Sequence, residues 1–195
     1  MNPVCAEKVK DDGTLKFRTR ATIGGDQIDY PYSTTAITAE LEAIKILLNA
    51  VISDSAQFST IDLEDFDLGT SLPFPEFIRI PAKFIPKNVI NFYKLKQFIH
   101  KGARYCTMLK THYGLPQAGA LSQEGLFDHQ ERNGYFQLFH TPSIFRNNNG
   151  TVRFSLAVDD FAVVWSNKTD MNHFIQKGQL EWWQIPWHDN RHHQR

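Results

Sequence analysis

The stretch 154–165, Phe-Ser-Leu-Ala-Val-Asp-Asp-Phe-Ala-Val-Val-Trp, carries the strongest fold signal in this sequence. Two apolar runs flank two adjacent carboxylates, which predicts a β-hairpin whose connection is Asp159-Asp160. Connections of this length usually contain Asn-Gly or Asp-Gly, because these residues adopt positive φ easily, and an Asp-Asp pair lacks that ease. The pair is therefore either a solvated surface turn or part of a catalytic site. The sequence outside the hairpin distinguishes these two interpretations.

The composition is that of a soluble globular protein with one domain. Of the 195 residues, 42% are hydrophobic and 22% are charged, which is not the composition of a disordered chain. Lys plus Arg equals Asp plus Glu at 21 each, which counts mildly against a polyanionic ligand. Cys5 and Cys106 are too few for a disulfide framework and favour a reducing compartment. No stretch resembles a signal peptide or a membrane span, so we expect an intracellular protein with no membrane partner.

The hydrophobic pattern alternates between strand and helix periods along the chain. Strands are predicted at 16–22, 58–63, 77–80, 104–109, 135–139 and 143–146, in addition to the two hairpin strands. Helices are predicted within 35–53, 88–97 and 117–130, and from 169 or 170 onward. Interspersed strands and helices favour an α+β fold, in which helices pack on one face of an antiparallel sheet.

Two further segments carry clustered charge. Cations alternate along the predicted strand 16–22, so they share one face. The acidic cluster 62–67 follows an apolar strand, so Asp62 could project from a strand end as Asp159 does. Two such carboxylates, brought side by side, would suit magnesium, which takes oxygen ligands and keeps waters or phosphates as the rest. Paired metal ions about 3.5–4 Å apart would serve phosphoryl chemistry.

Five short motifs follow one another along the chain, and their order matters for the comparison below. They are Arg-Thr-Arg-Ala-Thr-Ile-Gly-Gly at 18–25, Thr-Ile-Asp-Leu-Glu-Asp-Phe at 60–66, Tyr-Gly-Leu-Pro-Gln-Ala-Gly at 113–119, His-Thr-Pro at 140–142 and Leu-Ala-Val-Asp-Asp-Phe at 156–161. In this order the chain resembles the reverse transcriptases of copia-type retrotransposons over residues 5–177. The resemblance implies a polymerase right-hand palm, with an antiparallel sheet backed by helices, plus partial fingers. Residues 1–177 would form this fingers-palm domain, and 178–195 are expected to be a disordered or frayed tail.

The resemblance also implies a two-metal site. The metal-binding acids of the family fall on Asp62 and Asp159, with Asp160 adjacent in the same site. The main-chain carbonyl of Leu63 would lie beside the metal, and Leu63 would also belong to the nucleotide-binding residues. The cofactor would be two Mg²⁺ ions, with Mn²⁺ as a substitute.

Four further positions match nucleotide-binding positions of the family. Arg18 and Arg20 match basic fingers residues that contact the incoming triphosphate, a use that suits the bidentate guanidinium group. Gln117 matches a residue that lies against the nucleotide and template. Asp67 stands where these enzymes usually carry Tyr or Phe, whose ring packs beneath the sugar and excludes a 2′-hydroxyl. A carboxylate there would increase repulsion or raise its own pKa.

The function implied by the resemblance is that of an RNA-directed DNA polymerase domain in a retrotransposon polyprotein. Its partners would be an RNA or DNA template with a primer, deoxynucleoside triphosphates, and the thumb, RNase H and integrase portions of the polyprotein. It would act in the cytoplasm or nucleus, or within virus-like particles. Few residues follow the hairpin, so we expect a truncated copy without a thumb.

Two other hypotheses stay open. A non-catalytic remnant would keep the fold with weak or no nucleic-acid binding. A two-metal nuclease or phosphatase would explain the acids, but neither the basic strand nor the Leu-Pro-Gln segment at 115–117. The tail histidines His188, His192 and His193 are expected to be solvated and receive no role.

Overall fold

The computed structural model describes residues 2–9, 12–63 and 65–180. The strands within these ranges are β1 (Asn2–Val9), β2 (Leu15–Thr22), β3 (Gln57–Asp62), β4 (Ser71–Pro81), β5 (Ala103–Lys110), β6 (Tyr135–Leu138), β7 (Thr141–Asn147), β8 (Val152–Ala157) and β9 (Asp160–Trp165). The α-helices are α1 (Leu41–Ser53), α2 (Lys87–Phe92), α3 (Ala118–Arg132) and α4 (Lys168–Leu180). The predicted α+β class with antiparallel sheets is confirmed. In this part of the chain no helix has the length and apolar character needed to cross a lipid bilayer.

A five-stranded antiparallel sheet with the order β3-β9-β8-β7-β6 forms the centre of the fold. Strands β6 to β9 follow one another in sequence and pair with their immediate neighbours. Strand β3 comes from much earlier in the chain and pairs with β9 along its whole length, from Gln57 opposite Trp165 to Asp62 opposite Asp160. The pairs β1–β2 and β4–β5 form two separate antiparallel ribbons.

Helices cover both faces of the central sheet. On one face α3 and α4 pack against the fully buried Phe154, and on the other Leu47 of α1 packs against Val164. The prediction of helices on a single face is therefore wrong. Its physical reason lies in the strands, since Val163 and Val164 point to opposite faces and both are fully buried.

Helix α1 begins later than predicted. Its apolar period suggested a start within 35–53, but the helix starts at Leu41. The backbone of Ile37 is used elsewhere: its N–H donates to Oε1 of Gln123 (2.6 Å), and its carbonyl accepts from Nε2 of Gln123 (2.5 Å) and Oγ of Ser143 (2.7 Å). Backbone groups held in this way cannot also take part in a helix, so the segment before Leu41 stays outside it.

The β8–β9 hairpin turns one residue earlier than predicted. Ala157 pairs with Asp160, so the connection is Val158-Asp159, and Asp160 is the first residue of β9. Val158 has a φ of 60° and Asp159 has no positive φ, which is the pattern of a type II′ turn. For a β-branched residue this conformation costs about 1–3 kcal/mol. The flanking strands must therefore hold the turn in place.

Two differences from the predictions concern the segment between β3 and α3. Strand β4 starts at Ser71, before the predicted 77–80. Pro73 and Pro75 are tolerated in it because they lie where the register with β5 shifts, and a backbone N–H is not needed there for a hydrogen bond to β5. The predicted helix 88–97 is divided into α2 and a 3₁₀ helix. Lys94 between them has a φ of 51°, a left-handed conformation through which an α-helix cannot continue.

The two ends of the chain also differ from the predictions. Strand β1 was not predicted, because its sequence has little alternation of apolar and polar residues. Helix α4 continues to Leu180, past the predicted domain boundary at 177. The rest of the predicted tail, residues 181–195, lies outside the described residues.

Substitution of Phe154 by alanine tests the position of the core. The Phe154 ring is fully buried. Its centroid lies 5.0 Å from the centroid of the stacked Phe145 ring and 4.8 Å from that of the Phe174 ring. We expect Phe154→Ala to lower the free energy of unfolding, measured in urea, by about 3–5 kcal/mol. The matched control is Phe139→Ala, whose ring is 93% exposed and whose loss should cost less than about 0.5 kcal/mol. Equal effects of the two substitutions would contradict this core.

Candidate active site

The pairing of β3 with β9 brings the two predicted acidic segments together. Asp62, the last residue of β3, lies directly opposite Asp160, the first residue of β9. The N–H of Leu63 then donates to the carbonyl of Asp159 (2.9 Å), which extends the ladder by one bond. Directly opposed residues in an antiparallel sheet have Cβ atoms about 4.5–5.5 Å apart and point to the same face. Asp62, Asp159 and Asp160 therefore lie at one end of the sheet.

These carboxylates are electrostatically coupled. The pKa of Asp160 is raised above its ordinary value, first by burial and then by the negative charges of Asp159 and Asp62. Asp62 and Asp160 are exposed and Asp159 is partly exposed. A cation from solvent can therefore reach a site whose negative charges repel one another.

Asp67 is a fourth carboxylate of this site. It lies in the 3₁₀ helix Phe66–Leu68, which the buried ring of Phe66 anchors in the core. Its pKa is raised, first by burial and then by the charge of Asp159, while the charge of Arg20 acts in the opposite direction. The Oδ1 atom of Asp67 is buried and has no hydrogen-bond partner. The sequence-based expectation that a carboxylate here would have a raised pKa agrees with this arrangement.

The predicted basic strand faces the acidic site. In the register of the β1–β2 ribbon Arg18 lies opposite Ala6 and Arg20 opposite Val4, so both arginines share one face of the ribbon. A nitrogen of Arg18 lies 3.9 Å from Oδ1 of Asp65, and both side chains are about half exposed. A surface ion pair of this kind contributes between 0 and about 1 kcal/mol, so Arg18 can exchange this partner for a stronger one.

Tyr113 connects the basic strand to the acidic segment. Its ring lies under the guanidinium of Arg20 at 4.9 Å, and its hydroxyl donates to Oδ1 of Asp65 (2.9 Å). Burial, followed by the bond to Asp65, raises the pKa of Tyr113. Tyr113 and Asp65 were not predicted as site residues. Both lie within quoted motifs, but only the three-dimensional contact distinguishes them from their neighbours.

Two glycine turns make this contact possible. The N–H of Ile23 donates to the carbonyl of Tyr113 (2.9 Å). The two backbone segments approach each other so closely here that there is no room for side chains. A Cβ on Gly25 would lie 1.9 Å from the carbonyl oxygen of Gly114. A Cβ on Gly114, which has a φ of +88°, would lie 2.3 Å from the carbonyl oxygen of Ile23. Glycine at these positions therefore allows the motifs 18–25 and 113–119 to meet.

Gln117 lies beside the site rather than within the carboxylate group. Its side chain is 1% exposed, and its Nε2 donates to Oε1 of Glu76 on β4 (3.2 Å). Its Oε1 is buried with no hydrogen-bond partner, an unsatisfied acceptor of the kind that a ligand can satisfy. The nucleotide-contacting role of Gln117 stays a prediction. The motif 140–142 starts β7, at the same end of the sheet as Asp160 but two strands away.

The donor atoms of the site fit a hard divalent cation. In the described part of the chain no three His, Cys, Asp or Glu side chains are already arranged as a metal-ligand set. Magnesium does not require such a set, because it binds through one or two carboxylates and fills its other positions with waters and substrate phosphates. Asp62, Asp159 and Asp160 offer oxygen donors of this kind, and the backbone of Leu63 lies next to them. Glu64 lies outside the described residues.

No protein-family model, curated protein or solved structure matches the chain.

The coupling among the carboxylates predicts an unusual pH dependence for Asp160→Asn. Because the pKa of Asp160 is raised on folding, its ionised form destabilises the folded state above that pKa, and this penalty disappears below the unfolded pKa of about 3.9. We expect Asp160→Asn to raise the free energy of unfolding at pH 7, by less than about 1 kcal/mol since the group is exposed, and to match wild type at pH 3.

Asp12→Asn is the matched control for this measurement. Hydrogen bonds from Thr14 lower the pKa of Asp12, so its charge stabilises the folded state and its removal should produce no gain at pH 7. An equal effect of Asp160→Asn at pH 3 and pH 7 would contradict the coupling.

Proposed function

We propose that the chain is the fingers and palm portion of an RNA-directed DNA polymerase of the copia retrotransposon type. It would join the 3′-hydroxyl of a primer to the α-phosphate of a deoxynucleotide and release pyrophosphate. The observation that carries the proposal is the position of Asp62 opposite Asp160 and next to Asp159, at the end of the sheet that the arginine strand faces.

Each residue would act through its own chemistry. Asp62, Asp159 and Asp160 would hold magnesium, which when bound activates the attacking hydroxyl and neutralises phosphate charge. Arg18 would leave its weak pair with Asp65 and bind the triphosphate, since a guanidinium–phosphate pair is bidentate and charge-assisted on both sides. Positioning of the two reacting oxygens and charge neutralisation would supply most of the rate.

Tyr113 would hold the arginines at a fixed position relative to the acids. It contacts Arg20 through its ring and Asp65 through its hydroxyl, so one side chain positions both the cationic and the anionic segment. The glycine contact between Gly25 and Gly114 fixes the distance between these segments. A preorganised arrangement of this kind lowers the cost of placing charges during the reaction.

A non-catalytic remnant is the second candidate, and two observations favour it. Asp67 places an additional, partly buried carboxylate near Asp159, which increases repulsion towards a triphosphate. Arg18 is engaged in a weak pair with Asp65, which a triphosphate would have to displace. A remnant would keep these contacts and the fold but would not extend a primer. A nuclease or phosphatase is less well supported, because it gives no role to the contact between the motifs 18–25 and 113–119.

Primer extension tests the polymerase proposal. With an RNA template, a DNA primer, deoxynucleotides and Mg²⁺, we expect extension by the wild-type chain and a loss on the order of 100-fold or more for Asp159→Asn. The control is Asp128→Asn, the same chemical change on the exposed surface of α3, which should leave the rate unchanged. Equal extension by wild type and Asp159→Asn would reject catalysis at this site, and no extension by wild type would favour the remnant.

Asp67 gives a separate prediction about the sugar. If Asp67 lies beneath the sugar, as the resemblance implies, no aromatic ring excludes a 2′-hydroxyl, and ribonucleotides should be incorporated nearly as well as deoxynucleotides. We expect Asp67→Phe to lower the ratio of ribonucleotide to deoxynucleotide incorporation by about tenfold or more. Asp67→Asn keeps the size of the side chain without adding a ring and should leave this ratio unchanged. An unchanged ratio in Asp67→Phe would contradict this position for residue 67.

A further inference from the structure

The neutral total charge of the chain conceals a strongly basic segment. Residues 71–111, which we call the basic arm, contain eight of the 21 Lys and Arg residues but a single acid, Glu76. Seven of these eight cations are exposed. The arm comprises the β4–β5 ribbon and the helices between its strands, and it contains none of the carboxylates of the candidate active site. Its positive charge therefore comes from residues other than those of the candidate active site.

The β4–β5 ribbon presents aromatic rings to solvent. In its register Arg79 lies opposite Tyr105, and Phe77 lies opposite Thr107, so these four residues share one face. Phe77 is 82% exposed and Tyr105 is 54% exposed. The other face of the ribbon carries Ile78, which is 8% exposed. The ribbon therefore turns its aliphatic side inward and leaves an arginine between two aromatic rings on the outside.

Aromatic rings and cations also alternate outside the ribbon. Phe92 and Tyr93, at the end of α2, are 80% and 63% exposed, and their rings pack edge to face at 4.8 Å. Exposed Lys94 follows them directly. The guanidinium of Arg104 lies 4.9 Å from the ring of Phe98. A surface made only to cover a hydrophobic partner would not need this density of cations.

We propose that the basic arm binds single-stranded nucleic acid. Proteins that bind single strands combine a positive surface that follows the phosphates with exposed aromatic side chains on which bases stack. The arm offers both, with Phe77 and Tyr105 as stacking platforms and Arg79 between them as a phosphate or stacking contact. Because the rings and cations of the arm are not residues of the carboxylate site, this inference does not depend on the proposed polymerase activity.

Fluorescence anisotropy with a labelled oligonucleotide of about 20 nucleotides tests the inference, in EDTA and without nucleotides. Oligothymidylate and oligouridylate serve as probes, and stacking predicts binding of both. We expect the paired substitution Phe77→Ala with Tyr105→Ala to weaken binding by roughly tenfold to a hundredfold. The matched control pair, Phe136→Ala with Phe139→Ala, removes two exposed rings outside the arm and should leave the affinity unchanged. Unfolding in urea confirms that all variants are folded.

Salt dependence and competing ligands complete the test. Removal of the charge in Arg79→Gln should reduce the slope of log affinity against log salt concentration by about 0.7, the value for one lost phosphate contact on a single strand. Asp128→Asn, on the exposed surface of α3, should bind as wild type, and because the assay contains EDTA and no nucleotides its result is separate from any failure of catalysis. Absence of salt-dependent binding by wild type, or equal affinity of the aromatic pair variant and its control, would overturn the inference. Tighter binding of a duplex, binding only to phosphatidylserine vesicles, or self-association through the arm would overturn it as well.

Discussion

The structure depends on the pairing of β3 with β9. This pairing joins the earliest strand of the central sheet to the last one and places Asp62 opposite Asp160. A shift of one residue in its register would move the side chain of Asp62 to the other face and separate the acids. Ile61 of β3 opposes such a shift, because its side chain packs against the buried core and would move to the other face. The hydrogen bond from Nε1 of Trp165 to Oγ of Ser59 (3.1 Å) would be lost as well. The core therefore fixes the geometry of the acidic site.

The same region contains several features that oppose folding. The carboxylates at the sheet end repel one another, Val158 adopts a left-handed φ, and Asp67 has a buried oxygen without a partner. Each of these features destabilises the fold, and strain of this kind is concentrated at functional sites. A divalent cation with a phosphate-bearing ligand would relieve the charge repulsion. The proposed function accounts for the occurrence of these three destabilising features at one end of the sheet.

The local pattern of apolar and polar residues predicted those parts of the fold in which residues close in sequence determine the structure. The hairpin strands, β3, β5 and α3 follow from apolar periodicity and lie close to their predicted positions. The errors occur where distant residues decide, as when Gln123 holds Ile37 out of α1. In the site, the acids and arginines could be proposed from motif order, whereas Tyr113 could not. The charge of the basic arm can be counted in the sequence, but the exposure of its aromatic rings cannot. The role of Tyr113 depends on a tertiary contact, and the balanced total charge concealed the arm.

The central claim is that Asp62 and Asp159 bind divalent cations together, although they come from different segments of the chain. Binding of Mn²⁺ measured by electron paramagnetic resonance in a double-mutant cycle tests it most directly, with Asp62→Asn and Asp159→Asn made singly and together. If both carboxylates hold the same ions, each single substitution should remove most of the affinity, and the double substitution should add little more. Strictly additive losses, or an unchanged affinity in the double variant, would contradict the account.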